Sequence, residues 1–164
     1  MKVTAVLGVP LTATASAQAP QPVPPPACTA PEHRQFDFWV GHWDVRPTAG
    51  GEVIAHSLVE KLYAGCTIRE NWMPLRGTGG GRLNMYDAGD RLWHQTWHDS
   101  QNARVEFGGG LAAGKMVLLG LWRGMEGPGK DRLVRMTYTP NADGTVRQFG
   151  EKSTDHGLTW STSF

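Results

Sequence analysis

No run in this 164-residue chain approaches the roughly 18 apolar residues that a membrane-spanning helix needs, which excludes a helical span. An excess of one charge is missing too. Lys and Arg total 16 against 15 Asp and Glu, and the signs alternate along the chain without a basic or acidic block. That balance lacks the electrostatic footprint of a nucleic-acid binder and argues against such a partner. Beyond a short turn at 32–40, no segment carries an amphipathic helical repeat. Signatures of nucleophilic or phosphate chemistry are equally scarce. There is no G-x-S-x-G, and Gly77-Thr78-Gly79-Gly80-Gly81 lacks the Lys-Ser/Thr that completes a phosphate loop. Gly108-Gly109-Gly110 follows a strand with no helix behind it. Both glycine runs read as bends.

Cysteine is nearly absent as well, with only Cys28 and Cys66. The chain opens like an export signal: Lys2 is the only charge before Glu32, a weakly apolar run spans 3–11, and Ala15-Ser16-Ala17 supplies an A-x-A cleavage site. Residues 1–17 are therefore expected to be a signal peptide, and the protein periplasmic or secreted. Removing them takes away Lys2 and leaves 15 charges of each sign. In an oxidising compartment an even pair of cysteines predicts a Cys28–Cys66 disulfide; two free thiols are the alternative. Residues 18–31 hold six prolines among Ala and Gln, a composition that favours extended polyproline II. The stretch 18–35 reads as a linker, and the folded domain as 36–164.

What is there, from residue 36 on, is a series of short segments punctuated by turn residues. Strands are expected at 43–46, 52–62, 66–73, 82–87, 91–98, 104–111, 115–123, 132–139, 145–152 and 158–164. About ten strands joined by tight turns leave no room for parallel crossovers. The fold class is all-β, and an antiparallel up-and-down barrel, which removes exposed edges, is the first expectation. A β-sandwich is the second. The 21 glycines suit the bends and bulges of a strongly curved sheet.

Alternation along strands sorts side chains by face. Ile68, Glu70 and Trp72 share one side of the third strand; Arg82, Asn84 and Tyr86 share one side of the fourth; Trp93, Gln95 and Trp97 share one side of the fifth. Arg135 and Thr137 in the eighth strand, and Val146, Gln148 and Gly150 in the ninth, are assigned to the same face. Tryptophans mixed with Glu, Asn, Gln and Arg suit the wall of a ligand-holding barrel, where apolar surface carries a few placed polar groups. The alternative turns these polar groups outward and fills the barrel with Leu83, Met85 and Leu92.

His94 and His98 do not make a metal site, because residues four apart on a strand lie about 13 Å from each other. Ser153, Asp155 and His156 are the triad residue types, but one tight turn holds all three, and the relay needs separate elements. Ser153-Thr154-Asp155-His156-Gly157-Leu158-Thr159-Trp160 matches S-x-D-x-G-x-T-W, the Asp-box hairpin of sialidase-type propellers and other β proteins. Its logic is structural: Asp155 and Ser153 bond turn backbone, Gly157 takes positive φ, and Trp160 packs over the hairpin. A single copy predicts a hairpin and no glycosidase.

Several blocks together resemble a bacterial family of secreted, lipocalin-like proteins of the calycin type, a family without established activity. The opening Phe36-Asp37-Phe38-Trp39-Val40-Gly41-His42-Trp43-Asp44-Val45 contains the G-x-W of that wider group. Gly65-Cys66-Thr67-Ile68-Arg69-Glu70-Asn71-Trp72 is similar to a second block. A third is Gly81-Arg82-Leu83-Asn84-Met85-Tyr86-Asp87, followed by Trp93-His94-Gln95-Thr96-Trp97-His98-Asp99. Arg135-Met136-Thr137-Tyr138-Thr139-Pro140 and the Asp-box complete the set. The resemblance implies a calycin-type barrel and an exported location. Arg82 departs from it, standing where a small residue, usually Ser, is expected. The family's closing strand is also longer than the stretch after the Asp-box here, so incomplete closure is expected.

The function expected from these features is binding of a small apolar or aromatic ligand inside the barrel. Its contacts would be Glu70, Trp72, Asn84, Tyr86, Trp93, Gln95, Trp97, Arg135 and Gln148, with no metal or cofactor. A second possibility is an enzyme that uses Glu70 as general base in the same pocket. A third is a haem-binding barrel similar to nitrobindins, with His42, His94 or His98 as axial ligand.

Overall fold

The structure, a computed structural model, describes residues 28–47 and 50–164. The expected signal peptide and the first part of the expected linker lie outside the described residues. Ten strands form one sheet in the order β1 to β10, every neighbouring pair antiparallel. They are β1 Gly41–Val45, β2 Ala55–Leu62, β3 Thr67–Pro74, β4 Gly80–Asp87, β5 Leu92–Asp99, β6 Arg104–Ala112, β7 Lys115–Trp122, β8 Arg132–Pro140, β9 Val146–Ser153 and β10 Ser161–Thr162. The sheet curls into a half-barrel, with β1 and β10 as its edges. Sequence-based bounds fall within a few residues of those observed, except that the last strand shrinks to Ser161–Thr162.

Turn chemistry explains the meander. Asp87 Oδ1 accepts from Gly89 N at 2.7 Å and Asp90 Oδ1 from Leu92 N at 3.0 Å, which closes the β4–β5 turn. Asp99 Oδ1 accepts from Gln101 N and Ala103 N, both at 2.9 Å, between β5 and β6. Asp143 Oδ1 takes Thr145 N at 3.0 Å before β9. Short acidic side chains that bond backbone two residues on set these reversals locally.

Alternation then decides the two faces. The concave face buries Val59, Ile68, Trp93, Val105, Phe107, Met116, Leu118, Val134, Met136 and Tyr138. Leu83, Met85 and Leu92 are exposed on the convex face, so the alternative in which they fill the barrel does not hold. The segment ahead of β1 packs into the concavity. Within the stretch read as linker, Pro31–Arg34 forms a 3₁₀ turn with His33 buried, and a second turn, Asp37–Trp39, follows. Phe36 and Trp39 are 0% and 4% exposed. Phe36 stacks on Trp39 at 4.9 Å between ring centroids and meets Trp93 and Tyr138 edge-on. Offset and edge-to-face arrangements of this kind add about 0.5–1.5 kcal/mol per pair beyond area burial. The predicted disulfide is present: Cys28 joins Cys66, just before β3, and ties the start of this segment to the sheet.

Two glycines make room for rings on the crowded concave side. Gly120 lies opposite Phe107, and a Cβ there would stand 2.7 Å from the Phe107 ring and 2.4 Å from Glu106 O. Gly80 does the same for Trp97, whose ring atoms would lie 2.7 Å from its Cβ. Glycine in a strand interior often marks such a close approach.

Candidate functional site

The register stacks polar residues into rows across the concave face. Glu70, Arg82 and Trp97 are opposite one another on β3, β4 and β5, as are Ile68, Asn84 and Gln95. Glu70, Arg82, Asn84 and Gln95 are all buried. A buried polar group is costly unless partnered, so where these bonds go is the central question.

Arg82 is the hub. Its Nη1 stands 2.9 Å from Glu70 Oε2, and the side chains are 9% and 1% exposed. The same nitrogen donates to Tyr138 OH at 3.1 Å and to Gln148 Oε1 at 3.3 Å. Its guanidinium carbon lies 4.7 Å from the centroid of the Trp97 ring and 5.8 Å from that of Trp39. A guanidinium over an indole face within about 6 Å gains cation–π attraction. Ser57 Oγ donates to Glu70 Oε1 at 2.8 Å. Gln95 Nε2 donates to Asn84 Oδ1 at 2.7 Å and to Tyr138 OH at 3.1 Å, and Asn84 Nδ2 donates to Ile68 O at 3.0 Å. The network therefore spans the half-barrel, tying β2 to β5 on one side to β8 and β9 on the other. Burial pushes the Tyr138 phenol up from its ordinary range, although the Arg82 charge pulls the other way, so Tyr138 stays neutral at physiological pH.

Two buried oxygens in this cluster have no hydrogen-bond donor. They are Gln95 Oε1 and Glu70 Oε2, the latter close to Arg82 but outside hydrogen-bond geometry. Both Tyr138 contacts use its oxygen as acceptor, which leaves its own proton to give.

Tryptophans line the same face, and Trp43 Nε1 donates to Trp39 O at 2.8 Å. Trp43, Ser57, Trp72 and Gly80 form one row, with the Trp97 ring over Gly80. Trp43, Trp72, Trp97 and Trp122 are each partly exposed. At the opposite end, Trp93 Nε1 donates to Gln35 Oε1 at 3.2 Å and Tyr86 meets His33 edge-on at 5.3 Å. An open groove of about 540 Å³ lies there, bordered by Glu32, Gln35, Tyr86, Arg91 and Trp93.

The nine expected contact residues thus separate into groups. Glu70, Asn84, Gln95 and Gln148 meet in one network. Trp97 covers its hub, and Trp72 stands on the rim above it. Tyr86 and Trp93 belong to the opposite end, against Gln35 and His33. Arg135 is a correction: it lies on the convex face, because β8 buries Val134, Met136 and Tyr138 on the concave side. Its guanidinium makes two 2.9 Å bonds to Glu151 and rests 4.2 Å from the centroid of the Trp160 ring. Three apolar side chains outweigh one cation for the buried face, and the assignment of Thr137 fails for the same reason. Ser57, Tyr138, Phe36 and Trp39 join this face beyond the nine expected residues, and Arg82, which alternation assigns to it, is the hub of the network. Ser57 and Tyr138 were within reach, since Ala55-Ser57-Val59 and Val134-Met136-Tyr138 each continue an inward alternation.

His42, His94 and His98 are all exposed on the convex face. Asp87, Asp90 and His94 bring ligand-type atoms within 4.8 Å of one another at the β4–β5 turn, where Asp90 Oδ2 bonds His94 Nε2 at 2.8 Å. The Asp-box adopts the expected hairpin. Ser153 Oγ donates to Asp155 Oδ1 at 2.7 Å, Asp155 accepts from Thr159 N at 2.9 Å, and Trp160 Nε1 donates to Gly157 O at 3.0 Å. These bonds from Thr159 and Ser153 lower the Asp155 pKa to about 2. Comparison with protein-family models, curated proteins and solved structures finds no match to this chain.

Proposed function

We propose that this chain is an exported, lipocalin-like binding protein that holds a small apolar or aromatic molecule on the concave face of its half-barrel. One observation carries the reading: a buried cluster of Glu70, Arg82, Asn84, Gln95 and Tyr138 lies beneath inward tryptophans that remain partly exposed. Ligand sites combine apolar and aromatic walls with a few convergent polar groups, and this face has both. The Cys28–Cys66 disulfide supports an oxidising compartment, and no helix among the described residues is long and apolar enough to cross a membrane.

Glu70 as a general base has less support, because Ser57 occupies one carboxylate oxygen and Arg82 stands against the other. A haem in the concavity would find none of His42, His94 and His98 beside it.

The test is native mass spectrometry of protein purified without refolding, followed by titration of the released small molecule against variants. Trp72→Ala removes rim wall and is expected to weaken binding by about 1–3 kcal/mol. Arg69→Ala, on the convex face, is expected to stay within about 0.5 kcal/mol of the parent. A chain that carries no ligand and changes its tryptophan emission with no apolar probe would refute the proposal. A larger loss for Arg69→Ala than for Trp72→Ala would refute the concave location.

A further inference from the structure

We propose that the open groove beside Gln35 and Trp93 is a second binding site, for a small zwitterion of the amino-acid or short-peptide class. It stands apart from the Trp72 and Trp97 wall considered above, and neither reading depends on the other. The groove has a volume of about 540 Å³, within the roughly 300–1,000 Å³ range of small-molecule sites. The partly exposed Tyr86 ring lines it, with Trp93 and Leu111 beside it, so an apolar or aromatic body has a surface to lie on.

Two opposite charges line this groove without meeting. Glu32 and Arg91 both border it, yet neither forms an ion pair with the other or with any other described residue. The carboxylates next to Arg91 in sequence are engaged elsewhere: Asp87 accepts from Gly89 N, and Asp90 bonds Leu92 N and His94 Nε2. Arg91 has a φ of 64°, in the left-handed region that arginine seldom adopts, and its backbone N donates to Asp87 O at 2.8 Å. That turn fixes the root of the Arg91 side chain two residues before Trp93. Across the groove, Glu32 is held in the Pro31–Arg34 turn, and Gln35 accepts from Trp93 Nε1 through Oε1, which leaves the Gln35 amide N–H groups to donate. A ligand carboxylate matches the guanidinium, and a ligand ammonium matches the Glu32 carboxylate and the Tyr86 ring face. A simple anion would meet Glu32 as a like charge, and a simple cation would meet Arg91. Only a molecule with both charges gives each wall its partner.

Nuclear magnetic resonance titration of the full chain tests this with four probes. Phenylalanine and phenylalanyl-phenylalanine are the zwitterions, N-acetylphenylalanine is the anion and phenethylamine is the cation. The Trp93 indole N–H, bonded to Gln35 at the groove, is expected to shift with a zwitterion while the Trp72 indole stays in place. Each single-charge analogue is expected to bind about tenfold more weakly than phenylalanine, the worth of one charged hydrogen bond. Arg91→Gln is expected to bring phenylalanine and phenethylamine within about threefold of each other, and Glu32→Gln to do the same for phenylalanine and N-acetylphenylalanine. Neither side chain is part of the core, so both variants are expected to fold, which unchanged signals from the rest of the sheet establish. The tighter of the two zwitterions identifies a single amino acid or a peptide as the source. No saturable Trp93 shift with either zwitterion at millimolar concentration overturns the proposal. So does an analogue that binds as tightly as phenylalanine, or a charge preference unchanged in both variants. These outcomes leave the Trp72 and Trp97 wall untouched, so binding there is judged by its own titration.

Discussion

Arg82→Met removes the guanidinium hub of the concave network and keeps a shorter, unbranched apolar stem, and its cost follows from what it leaves behind. Glu70, with a side chain 1% exposed, would keep one bond from Ser57 and lose its only nearby cation. Stripping one partner from a buried ion pair typically costs about 3–5 kcal/mol, because the remaining charge is uncompensated. Gln148 Oε1 would lose its donor too, whereas Tyr138 OH would keep the bond from Gln95. The expected loss is therefore about 4 kcal/mol, and at a typical urea slope of about 2 kcal/mol per molar it moves the midpoint down by roughly 2 M. Glu70→Gln in the Arg82→Met background removes the stranded charge and is expected to restore stability, giving a coupling energy of about 1–3 kcal/mol in the double-mutant cycle. Urea titration followed by tryptophan emission measures all four corners. A loss below about 1 kcal/mol for Arg82→Met, or a coupling within error of zero, would show that water reaches Glu70 and that the network does not span the half-barrel as a strut.

Other outcomes follow from single features. Unreduced, denatured protein is expected to show no free thiol; Cys28→Ser with Cys66→Ser should cost about 4 kcal/mol, the chain-entropy value for a loop closed across a sequence separation of 38. Asp155 has its pKa depressed from 3.8 to about 2, so its contribution is complete above about pH 4 and lost as pH falls toward 2. Asp155→Asn is expected to abolish that dependence in acid titrations that follow the 153–160 hairpin by nuclear magnetic resonance. Gly120→Ala drives a methyl to 2.7 Å from the Phe107 ring and 2.4 Å from backbone, an overpacking expected to cost about 1–3 kcal/mol by thermal melting.

The local features of this chain were legible because they depend on neighbours in sequence. Turn residues such as Asp87-Ala88-Gly89-Asp90 and Asn141-Ala142-Asp143-Gly144 mark reversals by side-chain bonds to nearby backbone, and their spacing yields ten strands in a meander. The Asp-box declared its hairpin for the same reason, and alternation placed Glu70, Asn84, Gln95 and Gln148 on the concave face. Alternation identifies only two faces, however, and choosing which one is buried needs the rest of the sheet. In β8 that choice fell to Val134, Met136 and Tyr138, which turned Arg135 outward to Glu151 and Trp160. Two further facts belong to the tertiary structure alone. Phe36 and Trp39 pack into the concavity because the chain before β1 folds back beneath the sheet, a path that composition does not encode. Arg82 meets Tyr138 across 56 positions and Gln148 across 66, because curvature brings β4 opposite β8 and β9. The sequence supplied the polar groups and their face; sheet curvature decided that they converge on one guanidinium.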